Sequence, residues 1–175
     1  MTKPMTKADV SQDIRSAGLV RRYHTWPVLH HQTIAEHTWQ VMRLYVLIFE
    51  QFPRSEVWYH MLFHDIGEVQ TGDIPYPMKR NNHLLKHEMD ILEHIALLSM
   101  NITLPELGHI EYLRFKFCDL LDCAEQGQYE ARLGNQYMGV VADQRDGLCS
   151  IIHKMDDEDR VKAKAYSLEK NILID

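Results

Sequence analysis

No stretch of the chain is apolar for the roughly 20 residues a bilayer span requires. The opening MTKPMTKADV also lacks the apolar core of a signal peptide. Cysteine is scarce: there are three and no CxxC pair, and Cys118 and Cys123 fall more than one helical turn apart, a poor geometry for bridging. A reduced, cytoplasmic protein is expected, with no membrane partner. Positive charge is lacking as well. The net charge of −6 argues against a nucleic-acid polymer as partner, because such affinity rests on many basic contacts. A small phosphorylated ligand needs only two or three cations and stays allowed. Proline (six) and glycine (eight) are too few to cut the chain often, and alternating β-branched runs are scarce, so strands are not expected. Repeats, low-complexity segments and dividing linkers are absent.

What is present is 45% apolar residues in a chain of 175, enough for one domain, 1–175, with a sizeable core. The pattern predicts an all-α fold, a single compact helical bundle. A first helix is expected over about residues 7–17, stopping at Gly18. LVRRYHTWPVLHHQ reads as an ordered loop. TIAEHTWQVMRLYVLIFEQF is a helix opened by a capping box, Thr33 with Glu36. SEVWYHMLFHDIGE is a third, mostly buried helix, and a fourth runs from Asn82 to Met100. Pro105 sits near the start of a long fifth helix through YLRFKFCDLLDCAEQ. One or two more helices occupy roughly residues 136–154 and 156–168.

Eleven histidines are spread along the chain. In MLFHDIGEVQTGDIPYPMKR, His64 and Asp65 are adjacent, so on a helix they diverge by about 100° and share an ion only where the helix faces a cleft. Glu68 follows His64 by four and Asp65 by three, on the same face one turn later. His37 and Asp119 are candidates for the missing ligands. Two neutral imidazoles with two carboxylates offset a divalent cation, which makes burial tolerable. Plainer readings stand beside these. Asp119 can pair with Lys116 three residues earlier, and Glu68 can support a ligating histidine. His60 reads as a wall residue, the His83/His87 pair as a solvated face, and Tyr23, Trp26, Trp39 and Trp58 one by one as core.

The joint order of four stretches is specific: RYHT, QTIAEHTW, FHDIGEVQTGDIPYPMK and KFCDLLD. Over about residues 15–130 the chain resembles the HD-domain phosphohydrolases. More narrowly it is similar to bacterial 5′-deoxynucleotidases and small phage HD enzymes such as the dATP triphosphohydrolases. The resemblance implies an HD-type bundle holding one divalent ion (Zn, Mn, Co, Fe or Ni) through His37, His64, Asp65 and Asp119. It makes Glu68, together with Asp65, the catalytic carboxylates, with Glu68 as general acid/base. Arg22, Lys79 and Lys116 become phosphate-binding residues. Tyr23, Thr25, Asp73 and Pro77 line the sugar and base, with Asp73 accepting the 3′-hydroxyl and Trp26 and Pro27 helping to shape the base pocket. Tyr23 departs from the deoxynucleotidase pattern, which has Trp there. Asp122 and Glu125 follow Asp119, but the match to KFCD selects Asp119.

The implied reaction is attack of an ion-activated water on the α-phosphorus of a deoxynucleotide. Lys79 and Lys116 favour a dNTP, with dATP the family-based guess, giving deoxynucleoside and triphosphate; a dNMP 5′-nucleotidase is the close alternative. A non-enzymatic, metal-stabilised nucleotide-binding module and a cyclic-nucleotide phosphodiesterase are the rivals. A homo-oligomer, dimer or hexamer, is implied as well.

Overall fold

The computed structural model describes residues 14–74, 82–138 and 144–172. Among them the architecture is all-α, as expected; the β pairing recorded is one isolated antiparallel bridge, Arg21 with Thr33. The helices are α1 (Ile14–Ala17), α2 (Ile34–Phe49), α3 (Ser55–Phe63), α4 (Glu68–Thr71), α5 (His83–Ser99), α6 (His109–Arg132), α7 (Arg145–Ile152) and α8 (Asp157–Glu169), with a 3₁₀ turn at Gln136–Met138. No helix among the described residues is long and apolar enough to cross a membrane.

Two compact units emerge. The first comprises described residues up to Thr25, His31–Glu36 and those of Phe63–Leu104. Its core is Ala17, Ile66, Leu97 and Ile102, with Phe63, Val69, Met100 and Leu104 packed against it. Here α4 packs on α5 and on α1. Gly67 is required at that contact, because a Cβ on it would lie 2.5 Å from the Glu93 carbonyl oxygen. Asn82 caps α5 by accepting the Leu85 N–H at 3.0 Å.

The second unit comprises Trp26–His30, His37–Leu62 and the described residues from Pro105 onward. Val41, Leu44, Tyr45 and Ile48 recur at helical spacing on α2 and enter one core with Phe117, Cys118 and Leu121 of α6. α7 packs on both α6 and α8. Arg114 on α6 grips the buried Asp159 of α8 through two bonds of 2.6 and 2.9 Å. Asp156 caps α8 through the Asp159 N–H.

The capping box at Thr33 forms as expected: the Thr33 N–H donates to Glu36 Oε2 at 2.6 Å and the Glu36 N–H to Thr33 Oγ1 at 3.2 Å. Three boundaries differ. The third helix ends at Phe63, and residues 64–67 form turns closed by bonds from Ile66 to Phe63, Glu68 to Asp65 and Val69 to Ile66. These i→i−3 bonds tighten the chain where Gly67 abuts α5. The long helix starts at His109, three residues after Glu106, with Glu111 Oε2 accepting the Gly108 N–H. The segment expected as helix from 136 begins with the 3₁₀ turn and resumes helical form at Arg145. Residues 7–13 of the expected first helix lie outside the described residues.

Candidate metal centre

The loop from Val20 to Ile34 is zipped at its base. Ile34 N–H donates to Val20 O at 3.0 Å, and Arg22 N–H to Gln32 O at 2.9 Å. The Arg22 guanidinium lies 5.4 Å from the Tyr23 ring centroid. Tyr23 adopts φ +59°, a left-handed conformation that costs a non-glycine residue about 1–2 kcal/mol. Its N–H is held by Asp73 Oδ2 at 3.0 Å. Thus Asp73 meets the backbone of Tyr23, and Arg22 lies beside the Tyr23 ring. Thr25 is exposed. Pro77 and Lys79 lie outside the described residues.

The tip of the same loop is fixed separately. Glu130, fully buried, accepts the N–H groups of Leu29 and His30 at 2.8 and 2.7 Å and the Asn135 amide at 2.7 Å. Asn135 also donates to the Pro27 carbonyl. Burial pushes the Glu130 carboxyl up, but these donors outweigh it and hold it below the usual carboxylate range.

His37 is completely buried on α2. Its Nδ1 meets Asp122 Oδ2 at 2.6 Å, and its Nε2 faces Asp119 Oδ1 at 3.2 Å. Asp119 Oδ2 in turn receives Lys116 Nζ at 2.6 Å, so the plain ion-pair reading of Lys116 is realised. Asp122 and Asp119 are three apart on α6 and thus share a face. With Nδ1–H given to Asp122, Nε2 carries a lone pair aimed at a carboxylate oxygen. Two acceptors so placed need a proton or a cation between them.

His64 and Asp65 sit in the tight turn after α3, with His64 Nε2 and Asp65 Oδ1 3.4 Å apart. Glu68 follows, buried, at the start of α4. In an i→i−3 turn, residues three apart eclipse, so Asp65 and Glu68 project to the same side. His64 and Asp65 lie in the first unit, His37 and Asp119 in the second, and each pair sets an imidazole nitrogen beside a carboxylate oxygen. Ligands bound at about 2.0–2.2 Å to one ion stand roughly 3.0–3.4 Å apart along a coordination edge. The separations of 3.2 Å (His37–Asp119) and 3.4 Å (His64–Asp65) match such edges. Each pair is thus spaced as two ligands of one divalent cation are.

Other histidines fall where expected. His60 bonds the Pro105 carbonyl at 3.1 Å and stacks edge-on against Phe115; burial holds its pKa below the ordinary value. His83 and His87 are exposed. Trp39 departs from the core reading: it is 61% exposed. Sequence reasoning gave Asp122 no supporting role and missed Glu130 and Asn135. The spacing of Asp122 to Asp119 carried a signal; nothing local pointed to the other two.

The sequence is similar to those of known proteins. A 5′-deoxynucleotidase of Erwinia tasmaniensis is 26% identical over 143 residues, covering 75% of this chain and 66% of that protein. Those of Yersinia pestis and Yersinia pseudotuberculosis are 31% identical over 119 residues, covering 65% of this chain and 53% of theirs. The chain thus spans about half to two thirds of the length of these relatives. The profile of the YfbR-like 5′-deoxynucleotidases matches residues 12–137, and the chain belongs to that family of HD-domain proteins.

Proposed function

We propose that this chain is a metal-dependent phosphohydrolase that removes the 5′ phosphate of deoxynucleoside monophosphates. The observation that carries the reading is a pair of ligand-spaced contacts, His37 Nε2 with Asp119 Oδ1 and His64 Nε2 with Asp65 Oδ1, with Asp122 on the other nitrogen of His37. His37 Nε2, His64, Asp65 and Asp119 Oδ1 would hold the ion. A divalent cation there supplies Lewis-acid polarisation of a phosphoryl oxygen and acidifies a bound water. Asp122 fixes the His37 tautomer and ring orientation. Lys116 leaves Asp119 a single oxygen to offer.

Glu68 takes the proton of the attacking water and returns one to the departing 5′-oxygen, a role typically worth about 10²–10⁴-fold in rate. Arg22 has the fork geometry to hold two non-bridging phosphate oxygens. Its backbone is fixed by Gln32 and by the bond between Tyr23 and Asp73. Asp73 commits Oδ2 to the loop; Oδ1 has no recorded partner among the described residues and suits a 3′-hydroxyl.

Engagement of Lys116 by Asp119, together with the deoxynucleotidase names of the relatives, supports the monophosphate over the dNTP that the lysines favoured from sequence. The test is product analysis by HPLC on folded protein loaded with Mn, Co or Zn, using dNMPs, NMPs, dNTPs and cyclic AMP. Deoxynucleoside and orthophosphate from dNMPs are expected. Triphosphate released from dNTPs would restore the triphosphohydrolase reading, and turnover of cyclic AMP alone would select the phosphodiesterase. No product from any of them would leave a binding module.

A further inference from the structure

A cleft of about 400 Å³ opens in the second unit on the face of α6 that carries Asp122. It is within the range of small-ligand sites, roughly 300–1,000 Å³. Its floor holds Gln126, only 8% exposed, whose Nε2 has no hydrogen-bond partner among the described residues. A buried, unsatisfied amide donor costs about 1–3 kcal/mol, so native structures seldom leave one without a purpose.

The other lining groups divide by availability. Arg43 is engaged: it donates to Gln40, Glu125 and the Tyr166 hydroxyl. Glu125 is neutralised by that same pair. By contrast, Arg132 is exposed at the end of α6 and has no recorded ion pair among the described residues. Lys170 stands nearby on the rim, its ammonium 5.2 Å from the Tyr166 ring centroid and paired with Glu169, itself 70% exposed, at 2.9 Å. Tyr129 supplies an exposed aromatic face. The cleft thus combines an unsatisfied amide at depth, an aromatic wall and two cations at the mouth, on a chain whose net charge is −6.

We propose that this cleft is a second binding site, distinct from the metal centre, for a planar heterocycle carrying one phosphate: a nucleoside monophosphate. A neutral ring with acceptor atoms meets Gln126 at depth and stacks on Tyr129. The phosphate reaches Arg132 and Lys170. A bare anion would satisfy only the rim and leave Gln126 unpaired. The occupant would lie against Asp122, the carboxylate that orients His37 at 2.6 Å, and against His30, whose N–H is anchored by Glu130. Occupancy therefore modulates turnover at the metal centre.

Two arms test this, and the first does not depend on the catalytic reading. Equilibrium dialysis of the Asp65→Ala protein, in which the metal centre is disabled, is run with AMP, CMP, GMP and UMP, and with orthophosphate and adenosine alone. At least one nucleotide is expected to bind saturably, one per chain, and better than either fragment. Arg132→Glu in that background should weaken binding about tenfold or more, as loss of a charge-assisted contact does. Lys86→Glu, the same charge change at an exposed position of α5, should not alter it. Gln126→Leu should weaken nucleotide but not orthophosphate. Absence of saturable binding, equal binding of orthophosphate, or an Arg132→Glu protein that binds as well as its parent would overturn the site. In the second arm, the same nucleotide is added during turnover by the otherwise unmodified chain. Its effect on rate should vanish in Arg132→Glu while basal rate stays unchanged; an effect that persists refutes the link to the metal centre.

Discussion

Replacing Asp122 should perturb the proposed metal centre without removing any proposed ligand. Its Oδ2 lies 2.6 Å from His37 Nδ1, and both side chains are shielded, at 3% and 0% exposure, so water cannot readily substitute. Such a carboxylate fixes which imidazole nitrogen carries the proton and raises the basicity of the other. Loss of this kind of support typically lowers metal affinity 10–100-fold, or about 1.4–2.7 kcal/mol. Asp122→Asn keeps the shape and one acceptor oxygen but removes the charge, and is expected near the lower bound. Asp122→Ala leaves a buried N–H without its acceptor and is expected near the upper. Competition against a chromogenic chelator, with Zn or Mn, measures both, while circular dichroism establishes that the helices persist. The reasoning fails if Asp122→Ala binds metal as tightly as the parent. It also fails if the folded alanine protein binds no metal at any concentration, since Asp122 would then be a ligand and not its support.

Gly67→Ala places a Cβ 2.5 Å from the Glu93 carbonyl, an overpacking expected to cost about 1–3 kcal/mol and to lower Tm by roughly 2–4 °C per kcal/mol; an unchanged melt would show the turn to be looser than drawn. Glu130 has its folded pKa below the unfolded value of about 4.3, so its contribution is complete above that pH and is lost as pH falls through the folded value. The Tm gap between the unmodified chain and Glu130→Gln should accordingly be widest near neutrality and shrink below about pH 4.3, whereas a gap constant across acid titration contradicts the sign. Lys116→Ala, which strips Asp119 of its 2.6 Å partner, should slow any dNMP and dNTP turnover by the same factor. Selective damage to dNTPs would assign Lys116 to distal phosphates.

Local signals in the sequence translated well. Thr33 with Glu36 needs only three residues to declare a helix start, and Val41, Leu44, Tyr45 and Ile48 declare the buried face by spacing alone. The fold class followed from such patterns, and the proposed metal ligands from the order of short stretches already known to recur together. What escaped depended on partners far along the chain. The helix seemed to continue through His64 because its composition stays helical; it tightens there because Gly67 meets a carbonyl on α5. Glu130 reaches back about a hundred residues to Leu29 and His30, and no window of sequence contains both ends. Trp39 was misjudged because apolar character alone does not say which side of α2 faces water.

The bond from the Tyr23 amide to Asp73 ties backbone geometry to the proposed recognition of substrate. One carboxylate restrains a tyrosine in an unfavourable twist with one oxygen and, in the proposed function, offers the other to a sugar. Losing it would both blind the pocket to the 3′-hydroxyl and let the neighbouring guanidinium drift, so tolerance for altered sugars cannot be gained at this position without surrendering grip on the phosphate. Broader substrate range would have to evolve elsewhere, through the ring at position 23.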